Sequence, residues 1–305
     1  MLLSWLRKPV DTFVPSVGYL YRRLRDTRVG QRSMQTIYGF KLAGEPRIAS
    51  SDFEADEVRT FLELLESHDT VLDLGANVGF YSCLAASRGK QVVCFEPSPR
   101  NLRFLYRNLW ENEFRNTEVF PLGLAKQPGL HRLYGFSDMA SFVSDWAQAD
   151  RKPFALVPVT GLDRIVAGRF QSQKLLIKLD VEGFELDVLA GAENTLDLAP
   201  KPTWLVEILL RDNVIPGGIN AQFADVFDVF WKHGYQCRAL NTKPEPVRPA
   251  DVSRWVANGS VDPETHNFLF FATQEQFEHE RTPSGSGIKN RGCTDPACEE
   301  ERTCL

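Results

Sequence analysis

Three short apolar runs, each with an acidic residue at its carboxyl end, limit the possible folds of this chain more than any other feature. The runs with their acids are Val71–Leu74 with Asp73, Val92–Phe95 with Glu96, and Lys174–Leu179 with Asp180. Continuous rather than alternating apolarity is typical of strands that are buried on both faces of a parallel sheet. Because the carboxyl ends of parallel strands meet at one edge, the three acids predict a single ligand-binding edge.

Strands and helices alternate from residue 70 to residue 271, which predicts a doubly wound α/β fold with a mostly parallel sheet and helices on both faces. The predicted strands are 36–42, 70–74, 91–95, 117–120, 174–179, 203–208, 235–240 and 268–271, and the predicted helices are 52–66, 78–87, 98–110, 184–195 and 222–233. Two long connections, 122–169 and 241–266, interrupt the alternation, and such connections often form lids or substrate sites.

We divide the 305 residues into three parts. Residues 1–50 are interpreted as a helical capping segment, and residues 51–275 as the ligand-binding domain. Residues 10–28 within the first part are amphipathic with a basic face, so contact with a membrane surface is an alternative to capping. Residues 276–305 are polar and predicted to be disordered.

Composition excludes several classes of protein. The net charge of −5 argues against nucleic acid as the main partner. No apolar run approaches the ~20 residues that cross a bilayer, and early charges interrupt any signal-peptide core, so we predict a cytoplasmic protein. Cys83, Cys94 and Cys237 lie in apolar patterns and are predicted to be core residues. The tail cysteines 293, 298 and 304 lack the spacing of zinc sites.

A glycine-rich turn follows the first strand and contains Gly75, Asn77 and Gly79 in the pattern Gly-x-Asn-x-Gly. Glycine permits a tight turn and lets a ligand approach the backbone closely. The spacing differs from the Gly-x-Gly-x-x-Gly of dinucleotide sites, which disfavours a Rossmann oxidoreductase. The chain also contains no P-loop sequence.

Glu96 ends the second strand, where a carboxylate can accept hydrogen bonds from both hydroxyls of a ribose. A ribose site without a phosphate-binding signature indicates a nucleoside that lacks pyrophosphate, and S-adenosylmethionine is such a ligand. Asp73 has two interpretations: it contacts the amino-acid part of that ligand, or it is a structural carboxylate that caps the turn.

The motifs Asp73–Gly79, Phe95–Pro97 and Lys178–Glu185, in this order, resemble those of the FkbM-type methyltransferases. Segments 108–112, 161–163 and 188–192 share the resemblance, which extends from residue 54 to residue 271. It implies a seven-stranded sheet whose last strand is antiparallel, S-adenosylmethionine as cofactor, and O-methylation of sugars or natural-product hydroxyls. It also implies that the Asp73–Gly79 loop holds the methionine part of the cofactor and Glu96 the ribose.

Methyl transfer to an alcohol requires a group that orients the hydroxyl or takes its proton. Asp180, which is also a candidate cofactor contact, is our first choice and Glu182 our second. Together they could hold a divalent cation, but no third acid lies near in sequence, so we favour a site without metal. Glu182 alternatively caps the next helix. His266 is an alternative base or a solvated histidine.

Glu207 ends the fifth strand on the same edge and is a candidate contact for acceptor hydroxyls. Ser141 belongs to a motif that resembles one of the family, with no role derivable from the sequence. The acceptor is predicted to be a small molecule or a glycan. An N-methyltransferase and a non-catalytic protein that keeps the cofactor fold are the alternatives.

Overall fold

The computed structural model describes residues 32–44, 54–135, 140–144, 146, 154–211, 215–241, 245–262 and 265–272. The predictions for residues 10–28, for the tail 276–305 and for its three cysteines lie outside the described residues. The division of the chain into three parts therefore stays a prediction.

Thirteen strands and eight α-helices are formed by the described residues. The strands are β1 (Met34–Gln35), β2 (Lys41–Leu42), β3 (Thr70–Leu74), β4 (Gln91–Phe95), β5 (Thr117–Phe120), β6 (Gly123–Leu124), β7 (Gly129–Tyr134), β8 (Phe154–Thr160), β9 (Leu175–Leu179), β10 (Thr203–Glu207), β11 (Gln236–Ala239), β12 (Pro246–Val247) and β13 (Asn267–Phe271). The helices are α1 (Ala55–Leu65), α2 (Phe80–Ser87), α3 (Pro99–Glu111), α4 (Leu162–Val166), α5 (Glu185–Ala190), α6 (Glu193–Leu196), α7 (Phe223–Lys232) and α8 (Pro249–Asn258).

Eight strands form the central sheet in the order β12-β11-β13-β10-β9-β3-β4-β5. Strands β5, β4, β3, β9 and β10 are parallel to one another, whereas β13 runs antiparallel to its neighbours β10 and β11. The predicted doubly wound, mostly parallel α/β fold is confirmed, including the antiparallel last strand. The short edge strand β12 makes the sheet one strand wider than the seven that the resemblance implies.

Alternate side chains of the central strands pack into two separate cores, which explains their continuous apolarity. Leu72 of β3 and Ile177 of β9 belong to one core, with side chains of α5 and α7. Val71 and Leu176 belong to the other core, with side chains of α1, α2 and α3. Both faces of the sheet are thus covered by helices, as a doubly wound sheet requires.

The connection 122–169 is not the irregular segment that the sequence suggests, because it contains β6, β7, β8 and α4. Its three strands form a second sheet in the order β6-β8-β7. One face of this sheet is exposed, with Leu130 and Leu156 both more than half accessible. The alternating exposure hides these strands from a search for continuously apolar runs.

Two other predictions of secondary structure were wrong. The strand predicted at 36–42 is a hairpin of the two short strands β1 and β2. The helix predicted at 184–195 is divided into α5 and α6 near Gly191, where a Cβ would lie 2.6 Å from the carbonyl oxygen of Ala125. Close contact with this backbone favours glycine there, and glycine weakens the continuation of a helix.

Cys83, Cys94 and Cys237 are buried and form no disulfide, as predicted for core residues. Among the described residues, the helices are either too short or too polar to cross a membrane.

Candidate active site

The glycine turn brings the end of β3 against the end of β9. Gly75 has φ +91°, and a Cβ on it would lie 1.9 Å from the carbonyl oxygen of Asp180. Its N–H donates to the carbonyl of Phe95 at 3.0 Å, which ties the turn to β4 as well. Gly79 has φ +89° and begins α2 beside Leu105. A side chain at Gly75 would push the end of β3 away from the end of β9, and one at Gly79 would meet Leu105 of α3.

Glu96 is buried, and its carboxylate organises the first turn of the site. The N–H of Asn77 donates to Oε2 at 2.8 Å, and the N–H of Ser98 donates to Oε1 at 2.7 Å. Burial raises the pKa of Glu96 to about 8, against the lowering effect of these hydrogen bonds. Nδ2 of Asn101 also donates to Oε1, at 3.5 Å, so Oε2 is the oxygen with a second lone pair for a ligand, and a ligand hydroxyl at Oε1 would compete with this long contact.

Asp73 points away from the ligand edge, into the protein. It is 2% exposed, and the Ser82 hydroxyl of α2 donates to its Oδ2 at 2.5 Å. Burial raises the pKa of the Asp73 carboxyl above its usual value. This geometry favours the structural interpretation of Asp73, as the anchor of α2 to β3, over contact with a ligand.

A cleft of about 630 Å³, partly open to solvent, lies at the predicted edge. Of the predicted site residues, five line it: Gly75, Asn77, Glu96, Asp180 and Glu182. Asp73, Gly79 and His266 are not part of its lining. The opposite wall is apolar and comes from the second sheet and its neighbours, with side chains of Leu122, Leu133, Phe142 and Phe184. Flat apolar surface facing a buried carboxylate fits a nucleoside, with its base on the apolar side and its ribose on Glu96.

Asp180 forms an ion pair with a buried lysine. Its Oδ2 lies 3.0 Å from Nζ of Lys178, which is only 3% exposed. The same Nζ lies 3.5 Å from Oε1 of Glu57 in α1 and 4.6 Å from the ring centre of Tyr81. Burial raises the pKa of Glu57 to about 8, although Lys178 opposes that shift. Burial lowers the pKa of Lys178, but the surrounding carboxylates, Asp180 first, together raise it well above its usual value, so Lys178 remains charged.

Glu182 connects the turn after β9 to the long insertion. The indole Nε1 of Trp146 donates to its Oε2 at 2.8 Å, and the Ser141 hydroxyl donates to its carbonyl oxygen at 2.7 Å. Gly183 follows with φ +89°, and a Cβ there would meet the Trp146 ring at 2.4 Å. The start of α5 has no side-chain cap hydrogen bond, so the alternative that Glu182 caps this helix rests on its charge alone.

A second, small recess that opens to solvent adjoins the cleft; we call it the second cavity, and Asp180 and Glu182 line both spaces. Its wall contains four carboxylates and two apolar side chains: Asp180, Glu182, Glu185, Glu207, Trp146 and Leu209. Burial raises the pKa of Glu185 to about 7. Burial, followed by the negative charge of Asp180, raises the pKa of Glu207 well above its usual value.

His266 lies at the same edge, immediately before β13. Its Nε2 is 3.8 Å from Oε1 of Glu207, and its side chain is 54% exposed. The antiparallel pairing of Glu207 with Asn267 brings His266 there, since β13 begins at the edge where β10 ends. Within the described parts of the chain, no group of three His, Cys, Asp or Glu side chains has the arrangement of a metal site.

Two parts of the site have no signal in the sequence. Glu57 lies in an ordinary amphipathic helix, and Trp146 lies in the insertion without a recognised motif. Their contacts with Lys178 and Glu182 join residues that are far apart along the chain. Ser141, which resembles a family motif, acquires a contact here through the same turn.

The model of the methyltransferase FkbM domain matches residues 73–237, more than half of the chain. The chain belongs to this family of methyltransferases. The match extends from β3 into β11 and includes both the glycine turn and the Asp180–Gly183 turn.

One curated relative is the hexuronic acid methyltransferase AglP of Haloferax volcanii, 29% identical over 153 residues. The match covers 49% of this chain and 61% of that protein, so the chain spans less than two thirds of the relative's length. An O-methyltransferase of Bacillus cereus aligns over 88% of this chain and 98% of its own, at 12% identity and a TM-score of 0.42. A precorrin-6y C5,15-methyltransferase of Geobacter metallireducens aligns over 75% and 90%, at 12% identity and a TM-score of 0.38.

Proposed function

We propose that this protein is an S-adenosylmethionine-dependent O-methyltransferase that acts on a hydroxyl of a carbohydrate or natural product. The observation that carries the proposal is the shared wall of the two cavities. Asp180 and Glu182 line both the cleft that fits a nucleoside and the cavity that is rich in carboxylates. An acceptor hydroxyl that enters the second cavity from solvent would therefore meet the cofactor at Asp180.

The cofactor side of the proposal uses the residues around Glu96. Its carboxylate accepts the ribose hydroxyls, while Gly75 and Asn77 let the methionine part of the cofactor pass close to the backbone. Gly79 shapes the same turn, and Asp73 supports it from within β3. When bound, S-adenosylmethionine supplies the methyl group as part of a sulfonium. Transfer then depends mainly on alignment by the protein.

On the acceptor side we assign the orientation of the hydroxyl to Asp180. Its ion pair with Lys178 holds the carboxylate at the mouth of both cavities. Glu182 fixes the insertion to this turn through Trp146. His266 stays a candidate for proton transfer because it lies at the same edge beside Glu207. We propose no divalent cation for this chemistry.

The acceptor is proposed to be a small molecule or a glycan, with no nucleic acid partner. Support for a carbohydrate comes from the relative AglP of Haloferax volcanii, a hexuronic acid methyltransferase. Hydroxyl acceptors also suit the carboxylate-rich cavity, since carboxylates accept hydrogen bonds from hydroxyls. A cytoplasmic location and a membrane contact by residues 10–28 both stay predictions.

The test has two steps. Calorimetry with S-adenosylmethionine and S-adenosylhomocysteine should show binding, with Glu96→Ala as the weakened control. Methyl-labelled cofactor is then incubated with a panel of neutral hexosides, aminohexosides and hexuronates, and the product is located on oxygen or nitrogen by NMR. No binding at millimolar cofactor contradicts the proposal. Label on nitrogen alone supports the N-methyltransferase alternative, and binding without any transfer supports the non-catalytic one.

A further inference from the structure

The four carboxylates of the second cavity differ in their ion-pair and hydrogen-bond partners. Asp180 pairs with Lys178, Glu182 accepts the Trp146 indole N–H, and Glu185 accepts the Gly183 N–H at 2.9 Å. No residue that the structure describes donates a hydrogen bond to the Glu207 carboxylate. Nε2 of the exposed His266 lies 3.8 Å from its Oε1. Glu207 is therefore the carboxylate in this cavity with capacity for a hydroxyl proton.

The sheet places Glu207 directly beside Asp180. Strands β9 and β10 are parallel, and Leu179 pairs with Val206, so the next residues along both strands are neighbours at the ligand edge. Asp180 lines the cleft and the second cavity, whereas Glu207 lines only the second cavity. Asp180 therefore lies between the proposed cofactor site and Glu207. A hydroxyl oriented by Asp180 in the second cavity would have Glu207 on the side away from the cofactor.

We propose that Glu207 accepts the proton of the acceptor hydroxyl and that His266 passes this proton to solvent. The inference rests on the proposed function and names the base for that reaction. The acceptor O–H bond breaks and its oxygen bonds to the methyl carbon. The methyl–sulfur bond breaks with its electron pair on sulfur, which leaves a neutral thioether. The proton goes to the Glu207 carboxylate and then through the imidazole of exposed His266 to water.

The electrostatic surroundings of Glu207 match this role. The charged or titratable groups around it are Lys178 of β9, Asp180 and Glu182 of the following turn, Glu57 of α1, Glu185 of α5 across the second cavity, and His266 before β13. Burial and the negative neighbours raise the pKa of the Glu207 carboxyl, while Lys178 acts to lower it. A general base is most effective when its pKa lies near the operating pH, and a raised carboxylate pKa approaches that condition.

The first experiment compares Glu207→Gln, Glu207→Asp and Asp180→Asn in the full chain. S-adenosylhomocysteine affinity, measured by calorimetry, should change by less than about threefold in Glu207→Gln, because Glu207 lies outside the cleft. With a neutral hexoside as acceptor, wild-type kcat/KM should rise with pH as Glu207 ionises. Glu207→Gln should lose about 10²–10⁴-fold in kcat and also lose this rise. Glu207→Asp should keep the rise, which a purely structural role does not predict.

A second measurement needs no acceptor. In protein with ¹³C-labelled glutamate, bound to S-adenosylhomocysteine, the signal missing from Glu207→Gln identifies Glu207, and it should titrate well above the ordinary value of 4.5. Titration near 4.5, or a pH profile that survives in Glu207→Gln but disappears in Asp180→Asn, would overturn the proposal. If the wild type binds no cofactor, the proposed function itself fails, which is a distinguishable result.

The role of His266 is tested separately by His266→Gln. At low buffer concentration this variant should turn over more slowly than the wild type, and added imidazole should restore the rate by accepting the proton from Glu207. Equal rates of variant and wild type at every buffer concentration would show that His266 does not pass the proton to solvent.

Discussion

At the scale of single residues, Glu96 makes cofactor binding depend on pH. Its pKa is raised to about 8 by burial, and the ribose hydroxyls donate to the ionised carboxylate. The association constant should therefore rise as the pH increases towards about 8, by up to about tenfold per pH unit, and level off above it. Calorimetry across this range measures the effect. Glu96→Gln should bind weakly with no such rise, and an equal slope in both proteins contradicts the prediction.

The steric role of Gly75 can be measured by comparison with Gly89, a glycine in open space. Gly75 and Gly89 both have positive φ, but a Cβ on Gly89 would meet nothing within 4 Å, whereas one on Gly75 would meet the Asp180 carbonyl. Gly89→Ala should cost only the conformational strain, roughly 1–2 kcal/mol of unfolding free energy. Gly75→Ala should cost about 3 kcal/mol or more, because the ends of β3 and β9 must separate. Chemical denaturation of both variants checks this, and equal losses would contradict it.

The sequence predicts those site residues whose position follows from strand ends alone. Gly75, Glu96 and Asp180 could be placed together because the carboxyl ends of parallel strands share an edge. The distant partners of Lys178 and Glu182 could not be predicted in the same way. Glu57 and Trp146 reach them through the packing of α1 and of the insertion, and side-chain pairing across such distances leaves no local pattern.

At the scale of elements, Asn108 of α3 joins the N-terminal hairpin to the glycine turn. Its Nδ2 donates to the carbonyls of Ala43 and Val78 at 3.0 and 2.8 Å, and its Oδ1 accepts the N–H of Ala43 at 2.8 Å. Because Asn108 is completely buried, Asn108→Ala leaves backbone groups without partners and should cost about 1–3 kcal/mol.

Asn112 is the matched control for this prediction. It makes the same pair of hydrogen bonds to the backbone of the exposed Lys41, at 2.7 Å each, from a half-buried position, and its Nδ2 also donates to the carbonyl of Asn108 at 2.7 Å. Water can replace those bonds, so Asn112→Ala should cost less than about 1 kcal/mol. Thermal and chemical denaturation of both variants decide the comparison. Similar losses would show that burial of Asn108 is not the cause.

The predictability of each element depended on how it is buried. Strands β3, β4 and β5 were predicted with the bounds that the structure has, because their apolar runs are short, continuous and bounded by turns. The second sheet was missed since β7 and β8 each present an exposed face that carries polar and apolar side chains alike. The divided helix α5–α6 was missed because the cause, contact of Gly191 with Ala125, is tertiary.

At the scale of the whole molecule, the two cavities join on one edge of the sheet although their walls come from different parts of the fold. The parallel core supplies the carboxylates, and the second sheet with its insertion supplies the apolar wall. The wall of the second cavity, where we place the acceptor, is acidic. Among the described residues that line the second cavity, four are acidic and none is basic.

This concentration of charge predicts the kind of acceptor. At pH 8, where Glu185 with its pKa of about 7 is mostly ionised, a neutral hexoside should be methylated with a kcat/KM more than about tenfold above that of the corresponding hexuronate. The cause is repulsion between the uronate and the cavity wall, so the ratio should fall as salt screens the charges. An aminohexoside, which is cationic, should show the opposite dependence on salt. Competition assays with labelled cofactor at low and high salt measure the relative kcat/KM of the neutral hexoside, the hexuronate and the aminohexoside. Preference for the hexuronate would contradict the placement of the acceptor in this cavity.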